Sequence, residues 1–239
     1  MNISNSRAGQ NSAFRRYAEF TVGTQSLTKI IKFELIYTLF SALGGALGLL
    51  CRRVFYPLIF AAVGKNTHFG KNVGVRGAAK IHIGNNVSID DNCFLDARGE
   101  EARIVIGDNV ILSGGTVLRV RGGSLLIGDG CSIGRDCLLG SESRLILGKD
   151  ALLAAYVYIV AGGRHGFDDP DTAIIKQAVA PSQGVEIGDG CWLGARVTVL
   201  DGATIGRGAV VGAHSLVTKS LPDMVVAHGI PARITKNRA

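Results

Sequence analysis

Aliphatic residues recur at every sixth position near the C-terminal end of the chain. These positions are Ile187, Leu193, Val199, Ile205, Val211 and Val217. Glycine follows four of the six, and the fifth residue of each hexad is mostly small. A run of ordinary alternating strands would not restore an aliphatic residue at one fixed period over this length. Hexads of this kind are typical of parallel β-helices.

The period has a simple physical meaning. One hexad makes one short strand and one turn, so three consecutive hexads close a triangular coil. The aliphatic opener of each hexad points into the prism, where its burial contributes roughly 1.5–3 kcal/mol. Because one coil cannot bury its own core, coils must stack. The pattern therefore predicts an all-β solenoid.

Further hexads lie upstream, with longer spacing between coils. Their openers include Ile83, Ile106, Ile127 and Leu147, and each interval between these positions is longer than three hexads. The surplus falls in the polar stretches 97–103, 121–123 and 141–143, which we expect to form extended corners stacked along one edge.

One interval is much longer than the others. The next opener after Leu147 is Ile187, at twice the interval that separates Leu147 from Ile127. A segment as long as a whole coil therefore remains once the coil itself is counted. The surplus lies in residues 162–184, which predict a long loop. Loops of this length inside a compact fold are usually functional.

The N-terminal part has a different pattern. Residues 1–26 are polar and predict a flexible or loosely docked start, with no cleavage pattern of a signal peptide. Residues 27–62 are apolar, and positions 33–51 contain one charged side chain, Glu34. Glycines weaken a single long helix here, so we favour two short helices, packed on the end of the prism or lying in a membrane interface. A membrane span and extended structure are the alternatives. Residues 63–239 form the predicted solenoid domain.

Composition adds three constraints. Five cysteines are an odd number, and four of them occupy the fifth position of a hexad, which indicates small reduced core residues rather than disulfides or ligands. The net charge of +7 suits a phosphorylated cofactor, an anionic membrane surface or a diphosphate-linked acceptor. No aromatic-rich basic motif favours nucleic acid, and the histidines do not assemble into a metal site.

His165 is the main candidate for chemistry. It stands at the start of the long loop, directly after a predicted strand, in a polar and glycine-rich context. Imidazole exchanges a proton close to neutral pH, which suits a general base. The alternative is an ordinary surface histidine. Asp168 is near in sequence and is a candidate contact to the substrate or to the imidazole.

The hexads, together with the closing sequence Gly-Ile-Pro-Ala-Arg at 229–233, resemble the hexapeptide-repeat acyltransferases. The nearest branch looks like the sugar O-acetyltransferases, which include maltose and galactoside acetyltransferases and enzymes that modify capsule or O-antigen. The resemblance extends from about residue 63 to the C-terminus. It implies a left-handed parallel β-helix, acetyl-CoA as donor, His165 as the catalytic base, and a site between two chains of a homotrimer.

The resemblance also assigns binding residues. Glu142 matches an acidic contact to the acceptor, and Ala213 matches a backbone contact to pantetheine. Ala195 stands where many relatives have serine near the thioester, so only its backbone N–H could help there. The remaining matches are to the adenine, phosphate and tail contacts of coenzyme A, at Thr218, Lys219, Arg233 and Lys236.

The sequence thus predicts an enzyme that moves an acetyl group from acetyl-CoA to a sugar hydroxyl, in surface polysaccharide or glycan biosynthesis. We expect it in the cytoplasm, with residues 27–62 in peripheral contact with the inner membrane. The charged flanks of the apolar segment, Lys29, Lys32, Arg52 and Arg53, are placed to meet anionic headgroups. An N-acyltransferase acting on an amino sugar is the first alternative. A non-catalytic β-helix scaffold is the second.

Overall fold

The computed structural model describes residue 15 and residues 17–238. Seven coils follow one another, and each coil contributes one strand to each of three parallel sheets. Sheet A contains β1 (Ala62–Val63), β4 (Ile81–Ile83), β7 (Arg103–Ile106), β10 (Ser124–Ile127), β13 (Arg144–Leu147), β16 (Val185–Ile187) and β19 (Thr204–Ile205).

The other two sheets complete the prism. Sheet B contains β2 (His68–Phe69), β5 (Ser88–Ile89), β8 (Ile111–Leu112), β11 (Ser132–Ile133), β14 (Leu152–Leu153), β17 (Trp192–Leu193), β20 (Val210–Val211), β22 (Val225–Gly229) and β23 (Ala232–Asn237). Sheet C contains β3 (Gly74–Arg76), β6 (Phe94–Ala97), β9 (Val117–Val120), β12 (Leu138–Ser141), β15 (Tyr158–Ala161), β18 (Thr198–Val199) and β21 (Leu216–Val217). The terminal β23 is antiparallel to β22. The prediction of an all-β solenoid is confirmed, and the architecture is consistent with the left-handed β-helix that the resemblance implies.

The register aligns the hexad openers in buried ladders. In sheet A, Ile83 pairs with Ile106, Ile106 with Ile127, and Ile127 with Leu147. Leu147 then pairs with Ile187 across the long insertion. All of these openers are at most 4% exposed. The aliphatic residues that recur along the sequence therefore stack on one another along the axis of the prism and form its core.

The cysteines also lie where the period predicts. Cys93, Cys131, Cys137 and Cys191 are buried, and no cysteine in the described part of the chain is disulfide-bonded. Burial raises the pKa of the Cys93 thiol to about 12 and that of Cys131 and Cys137 to about 11. They are protonated core residues at neutral pH.

The surplus residues of each coil lie at one corner, between a strand of sheet C and the next strand of sheet A. Backbone hydrogen bonds stack this C-to-A corner from coil to coil. Arg121 N–H donates to the Ser141 carbonyl at 3.0 Å, and Glu142 N–H donates to the Ala161 carbonyl at 2.7 Å. The prediction of stacked corners along one edge is confirmed, and the long loop 162–184 leaves from the same corner.

Two short helices cap the N-terminal end of the prism, as the sequence predicts. The first, α1, is Leu27–Phe40, and the second, α2, is Gly45–Phe55, followed by a 3₁₀ turn at Tyr56–Leu58. Buried side chains of this cap join the solenoid core at Ile30, Phe33, Ile36, Tyr56 and Phe60. No helix within residues 17–238 combines the length and the apolar character needed to cross a bilayer.

Arg52 corrects one detail of the sequence interpretation, which placed it among cations that flank the apolar segment and meet lipid headgroups. Its side chain is only 3% exposed. Its guanidinium donates to the carbonyls of Phe69 at 2.9 Å, Phe40 at 3.0 Å and Leu43 at 2.6 Å. Gly48 allows this arrangement, because an added Cβ would lie 1.9 Å from the Leu43 carbonyl oxygen. Arg52 therefore joins the two helices to the first coil.

The predicted flexible start covers residues 1–26, of which 1–14 and 16 lie outside the described residues. Ala18–Val22 form a short π-helix with Ala18 and Val22 buried. The guanidinium of Arg98 lies over the ring of Phe20, with its carbon 4.1 Å from the ring centroid. Two further 3₁₀ turns, at Ala78–Lys80 and Ile174–Lys176, complete the helical elements of the described chain.

Candidate active site

The long loop 162–184 folds back on itself as a narrow hairpin. Gly166 N–H donates to the Ala178 carbonyl at 2.7 Å, and Ala180 N–H donates to the Arg164 carbonyl at 2.8 Å. These bonds enclose an antiparallel bridge between His165 and Val179. The backbone of His165 is thus held in a defined place, while the rest of the loop extends beyond it.

The tip of the loop is organised by two polar side chains. The Gln177 amide donates to the carbonyls of Asp169 at 2.8 Å and Thr172 at 2.7 Å. The Asp169 carboxylate accepts the Asp171 N–H at 3.0 Å. Hydrogen bonds from the Thr172 side chain and the Asp171 backbone lower the pKa of Asp169. Asp169 is therefore committed to holding the turn.

The base of the loop is fixed by Asp201, in the C-to-A corner of the next coil. Its carboxylate accepts the hydroxyl of Ser182 at 2.6 Å and the backbone N–H groups of Gln183 at 2.8 Å and Gly184 at 3.0 Å. Ser143 lies 2.7 Å from Ser182, oxygen to oxygen. This network fixes the returning arm, and through it the hairpin that holds His165.

The His165 side chain is exposed. No side-chain group within residues 17–238 donates a hydrogen bond to its imidazole or accepts one from it. Asp168 is also exposed and makes no such contact in the described chain. The structure does not bring these two residues into a pair, so the imidazole is available to a ligand.

Two connected grooves run along the outer face of sheet C beside the loop. The first, which we call the arginine groove, has a volume of about 230 Å³ and includes Arg119, Arg121, Glu142 and Tyr158 in its lining. The second, the loop groove, has a volume of about 420 Å³. Its lining includes Arg164, Gln183, Asp201 and Thr218. The two grooves are neighbours, because Val160 and Gly162 line both of them.

The residues assigned to coenzyme A divide into three places within one chain. Thr218 follows β21 at the C-to-A corner and lines the loop groove, and Lys219 is the next residue. Ala195 and Ala213 lie at the opposite edge of sheet C, in the turns that follow β17 and β20. Arg233 and Lys236 are exposed on β23, the last strand of sheet B. No groove of the described chain gathers all six.

Ala195 and Ala213 are stacked one coil apart. The Ala195 carbonyl accepts the His214 N–H at 2.8 Å, whereas the N–H groups of Ala195 and Ala213 have no acceptor among the described residues. Two adjacent unpaired N–H groups are a suitable surface for carbonyl oxygens of a ligand.

Sequence reasoning missed several residues of the grooves. Arg119, Arg121 and Tyr158 line the arginine groove beside Glu142. For Arg119 and Tyr158 the sequence does contain an indication, because buried and outward residues alternate along β9 and β15 and these two side chains face outward. Among the described residues, no cluster of three or more His, Cys, Asp or Glu side chains could hold a metal ion.

Two family models match the chain. Residues 184–219 match the model described as bacterial transferase hexapeptide (six repeats). Residues 61–97, 86–119 and 125–161 match the hexapeptide repeat of succinyl-transferase. The two models thus cover coils on both sides of the long loop.

Curated relatives are similar over somewhat more than half of the chain. A protein of Mycobacterium tuberculosis named "Probable acetyltransferase" is 37% identical over 144 residues, which are 60% of this chain and 47% of that protein. The Escherichia coli protein named "Putative lipopolysaccharide biosynthesis O-acetyl transferase WbbJ" is 33% identical over 151 residues, which are 60% of this chain and 75% of that protein. The chain spans about half the length of the mycobacterial relative.

A solved structure is similar over more of the chain. It is a point mutant of the N-acyltransferase AntD from Bacillus cereus, in complex with dTDP and coenzyme A. The TM-score is 0.54 with 25% identity, covering 77% of this chain and 88% of AntD. Named relatives thus include both an O-acetyl transferase and an N-acyltransferase.

Proposed function

Because the chain belongs to the hexapeptide-repeat transferase family, we propose that it transfers an acetyl group from acetyl-CoA to a sugar hydroxyl. His165 is the general base of this reaction, and the acceptor belongs to surface polysaccharide or glycan biosynthesis. The single observation that carries the proposal is the position of His165. Its exposed imidazole has no partner in the described chain, and Arg164, the residue before it, lines the loop groove together with Thr218.

The proposed reaction needs one proton transfer and one acyl transfer. His165 accepts the proton of the acceptor hydroxyl while the hydroxyl oxygen attacks the thioester carbonyl. The C–S bond of the resulting tetrahedral intermediate breaks, and the coenzyme A thiolate leaves and takes the proton from the imidazolium. A positioned base typically contributes about 10²–10⁴-fold. The backbone N–H of Ala195 is our candidate for stabilising the oxyanion.

The acceptor atom distinguishes this proposal from its first alternative. The same base would serve an amine, and the similarity to AntD favours testing an amino sugar beside hydroxyl acceptors. The experiment is acetyl-CoA turnover, followed by free-thiol release, across free oligosaccharides, nucleotide sugars, lipid-linked glycans and amino sugars. Turnover with amino sugars alone would identify an N-acyltransferase and contradict O-acetyl transfer.

The second alternative, a scaffold without catalysis, has a separate test. A ligand that binds only the folded protein raises its melting temperature, by an amount that grows with ligand concentration. We expect acetyl-CoA at millimolar concentration to stabilise the protein in a thermal-shift measurement. No stabilisation, combined with no thiol release from any acceptor, would favour the scaffold.

We further propose that the complete site forms between chains of a homotrimer. The residues assigned to coenzyme A occupy different edges of one prism. In a trimer, an edge of one prism would lie beside a different edge of its neighbour, so residues from both chains would line one site. The outer face of sheet B carries exposed apolar side chains suited to such contact, with Ile111, Leu152 and Trp192 45–50% exposed. Light scattering should give three chains per particle. Trp192→Lys should weaken the trimer, whereas Thr204→Lys on sheet A should not.

The proposed location is the cytoplasm, in peripheral contact with a membrane through residues 27–62. The two helices bury one side against the prism and leave the other side apolar. Leu27, Leu35 and Leu47 are 58–65% exposed. The same cap carries exposed cations at Lys29, Lys32 and Arg53. A water-exposed surface of this kind favours contact with anionic lipid.

A further inference from the structure

The arginine groove carries more positive charge than its own residues neutralise. Asp96, on the neighbouring strand, is fully buried and lies nearest to Arg119. Its two oxygens accept hydrogen bonds from Arg98 at 2.6 Å each. Arg119 Nε lies 4.0 Å from one of these oxygens, which is beyond hydrogen-bonding distance. Asp96 therefore attracts Arg119 as an ion pair at the limit of distance, but both of its oxygens give their hydrogen bonds to Arg98.

The Arg119 Nε–H is consequently a donor without a hydrogen-bond acceptor in the described chain. The Nε atom is buried, although 40% of the Arg119 side chain is exposed. Arg121, at the rim of the same groove, is exposed, and its guanidinium makes no hydrogen bond or ion pair to the described residues. Leaving a buried donor unpaired is unfavourable, and more so for a charged group. An anionic ligand would remove that cost.

The floor of the groove is kept open by a glycine. Gly140 pairs with Arg119 on one side and with Val160 on the other, so the three residues form one ladder across sheet C. Core packing does not require glycine here, because the nearest atoms to an added Cβ lie 3.5 and 3.8 Å away. Glycine inside a strand weakens the strand and often marks the approach of a ligand.

The acidic groups around the groove leave a net positive charge. Glu142 lines the groove and opposes the two arginines with one carboxylate. Glu100 and Glu101, one corner earlier, line a separate cleft with Lys80, His82 and Arg103. Two guanidinium groups beside one carboxylate suit a ligand with a dianionic end and a hydroxyl-bearing end. Arginine binds phosphate oxygens with its planar fork, and a carboxylate accepts hydrogen bonds from sugar hydroxyls.

We propose that Arg119 and Arg121 bind the phosphate or diphosphate of a phosphorylated sugar acceptor, with its sugar directed along the groove past Glu142 toward Gly162 and the loop of His165. This inference rests on the proposed acyl transfer for the direction of the sugar, whereas the anion site stands on its own geometry. A sugar with a carboxylate would need only one arginine. The class of ligand is therefore a glycosyl phosphate or diphosphate, linked to either a nucleoside or a lipid.

The test uses inorganic pyrophosphate as the probe, measured by isothermal titration calorimetry. The first variant is the pair Arg119→Gln and Arg121→Gln. The second is Gly140→Val, which copies the residue at the same ladder position one coil later and fills the groove without changing the charge. The matched control is the pair Arg103→Gln and Arg144→Gln, two exposed arginines that flank Ser124 in one ladder of sheet A.

We expect both groove variants to weaken pyrophosphate binding by tenfold or more, with unchanged acetyl-CoA affinity and an unchanged circular dichroism spectrum. The control pair should bind pyrophosphate like the wild type. In turnover, the groove variants should raise KM for a glycosyl phosphate but not for the same sugar without phosphate. Tighter binding of UDP than of pyrophosphate indicates a nucleoside source. Equal binding, with capture by vesicles that contain a lipid diphosphate, indicates a lipid source, and either result supports the proposal.

Four outcomes would overturn it. Pyrophosphate could fail to bind the wild type, or could bind all variants alike. A parallel loss of acetyl-CoA affinity would assign the arginines to the donor, and a stronger preference for a uronic acid would indicate a carboxylate site. Loss of pyrophosphate binding in the groove variants, in a protein that never turns over acetyl-CoA, would overturn acyl transfer and support the anion site.

Discussion

The carboxylate of Asp201 accepts a hydrogen bond of 2.6 Å from the hydroxyl of Ser182. These two residues are 19 positions apart and connect one coil to the returning arm of the loop that carries His165. The same carboxylate accepts two backbone N–H groups of that arm. The position of the candidate base therefore depends on an acid that forms no hydrogen bond with it in the described chain.

Asp201→Asn should loosen the loop without unfolding the solenoid. The amide keeps one acceptor oxygen but loses the charge, and hydrogen bonds to charged groups contribute about 1.5–3 kcal/mol. We expect cleavage by trypsin after Arg164 or Lys176 to accelerate by tenfold or more, and acyl transfer to fall. Asp223→Asn is the control, because Asp223 likewise accepts a backbone N–H, from Arg207 at 2.9 Å, at a different corner. Equal cleavage rates for wild type and Asp201→Asn would contradict this role.

The proposed base has a direct test. His165→Asn removes the proton acceptor and should lower acyl transfer by about 10²–10⁴-fold, measured as thiol release under saturating acetyl-CoA. The KM for acetyl-CoA should change little, since the imidazole acts on the acceptor. His82→Asn, on sheet A in the second coil, should retain full activity. Wild-type turnover in the His165 variant would remove the assignment.

Lys219 and Arg233 test the donor site. Both are exposed, and they lie at different edges of one prism. Replacing both with glutamine should raise KM for acetyl-CoA by roughly twofold to tenfold, as expected for exposed ion pairs. The effect should be largest at low ionic strength, where screening is weak. Arg144→Gln on sheet A is the control. An unchanged KM at low salt would show that these cations face away from coenzyme A.

The buried thiols predict how stability depends on pH. Burial raises the pKa of Cys93 to about 12, whereas a thiol in the unfolded chain ionises near 9. The unfolded state therefore releases this proton first, so stability is complete below pH 9 and falls as pH rises toward 12. The urea midpoint should decrease between pH 8 and pH 10.5. Replacing Cys93, Cys131 and Cys137 with Ala, which occupies equivalent hexad positions elsewhere, should reduce that decrease. A pH-independent midpoint in the wild type would contradict the argument.

The sequence predicted the fold well for a physical reason. A buried aliphatic residue such as Ile187 must recur at the period of the coil, so the core can be read directly from the order of the chain. The same reasoning placed the long loop, because its length exceeds what a coil can hold. Residues that meet only through stacking were harder to find. Arg119 and Glu142 share a groove because their coils are adjacent. The alternation of β9 shows that Arg119 faces outward, but it does not show which side chains of the next coil lie beside it.

Arg52 shows a second limit of sequence reasoning. A cation beside an apolar segment indicates contact with lipid headgroups, yet this one is buried and donates to three carbonyl groups. Only the packing of α1 and α2 on the first coil brings those acceptors together around Arg52. Composition identified the helical cap, whereas tertiary contacts decide whether each charged side chain of the cap is buried or exposed.

The last prediction concerns the outer surface of the cap. The exposed leucines of α1 and α2 belong to the same cap as three exposed cations, Lys29, Lys32 and Arg53. Each cation near an anionic membrane contributes about 1 kcal/mol, so binding should combine a salt-sensitive part with an apolar part. We expect the protein to float with anionic vesicles at low salt, to float less at high salt, and to ignore neutral vesicles.

Point variants distinguish specific membrane binding by this surface from non-specific binding by exposed apolar residues elsewhere. Ile31→Ser with Leu35→Ser and Leu50→Ser should reduce flotation, because all three side chains are at least half exposed and contribute little to the core. Ile174→Ser with Ile175→Ser, which removes exposed apolar area from the long loop, should leave flotation unchanged. A protein that stays unbound and soluble at both salt concentrations would make the segment a packed cap alone. A protein that neither salt nor carbonate releases from the vesicles would be deeply inserted, and the proposal of peripheral contact would then be wrong.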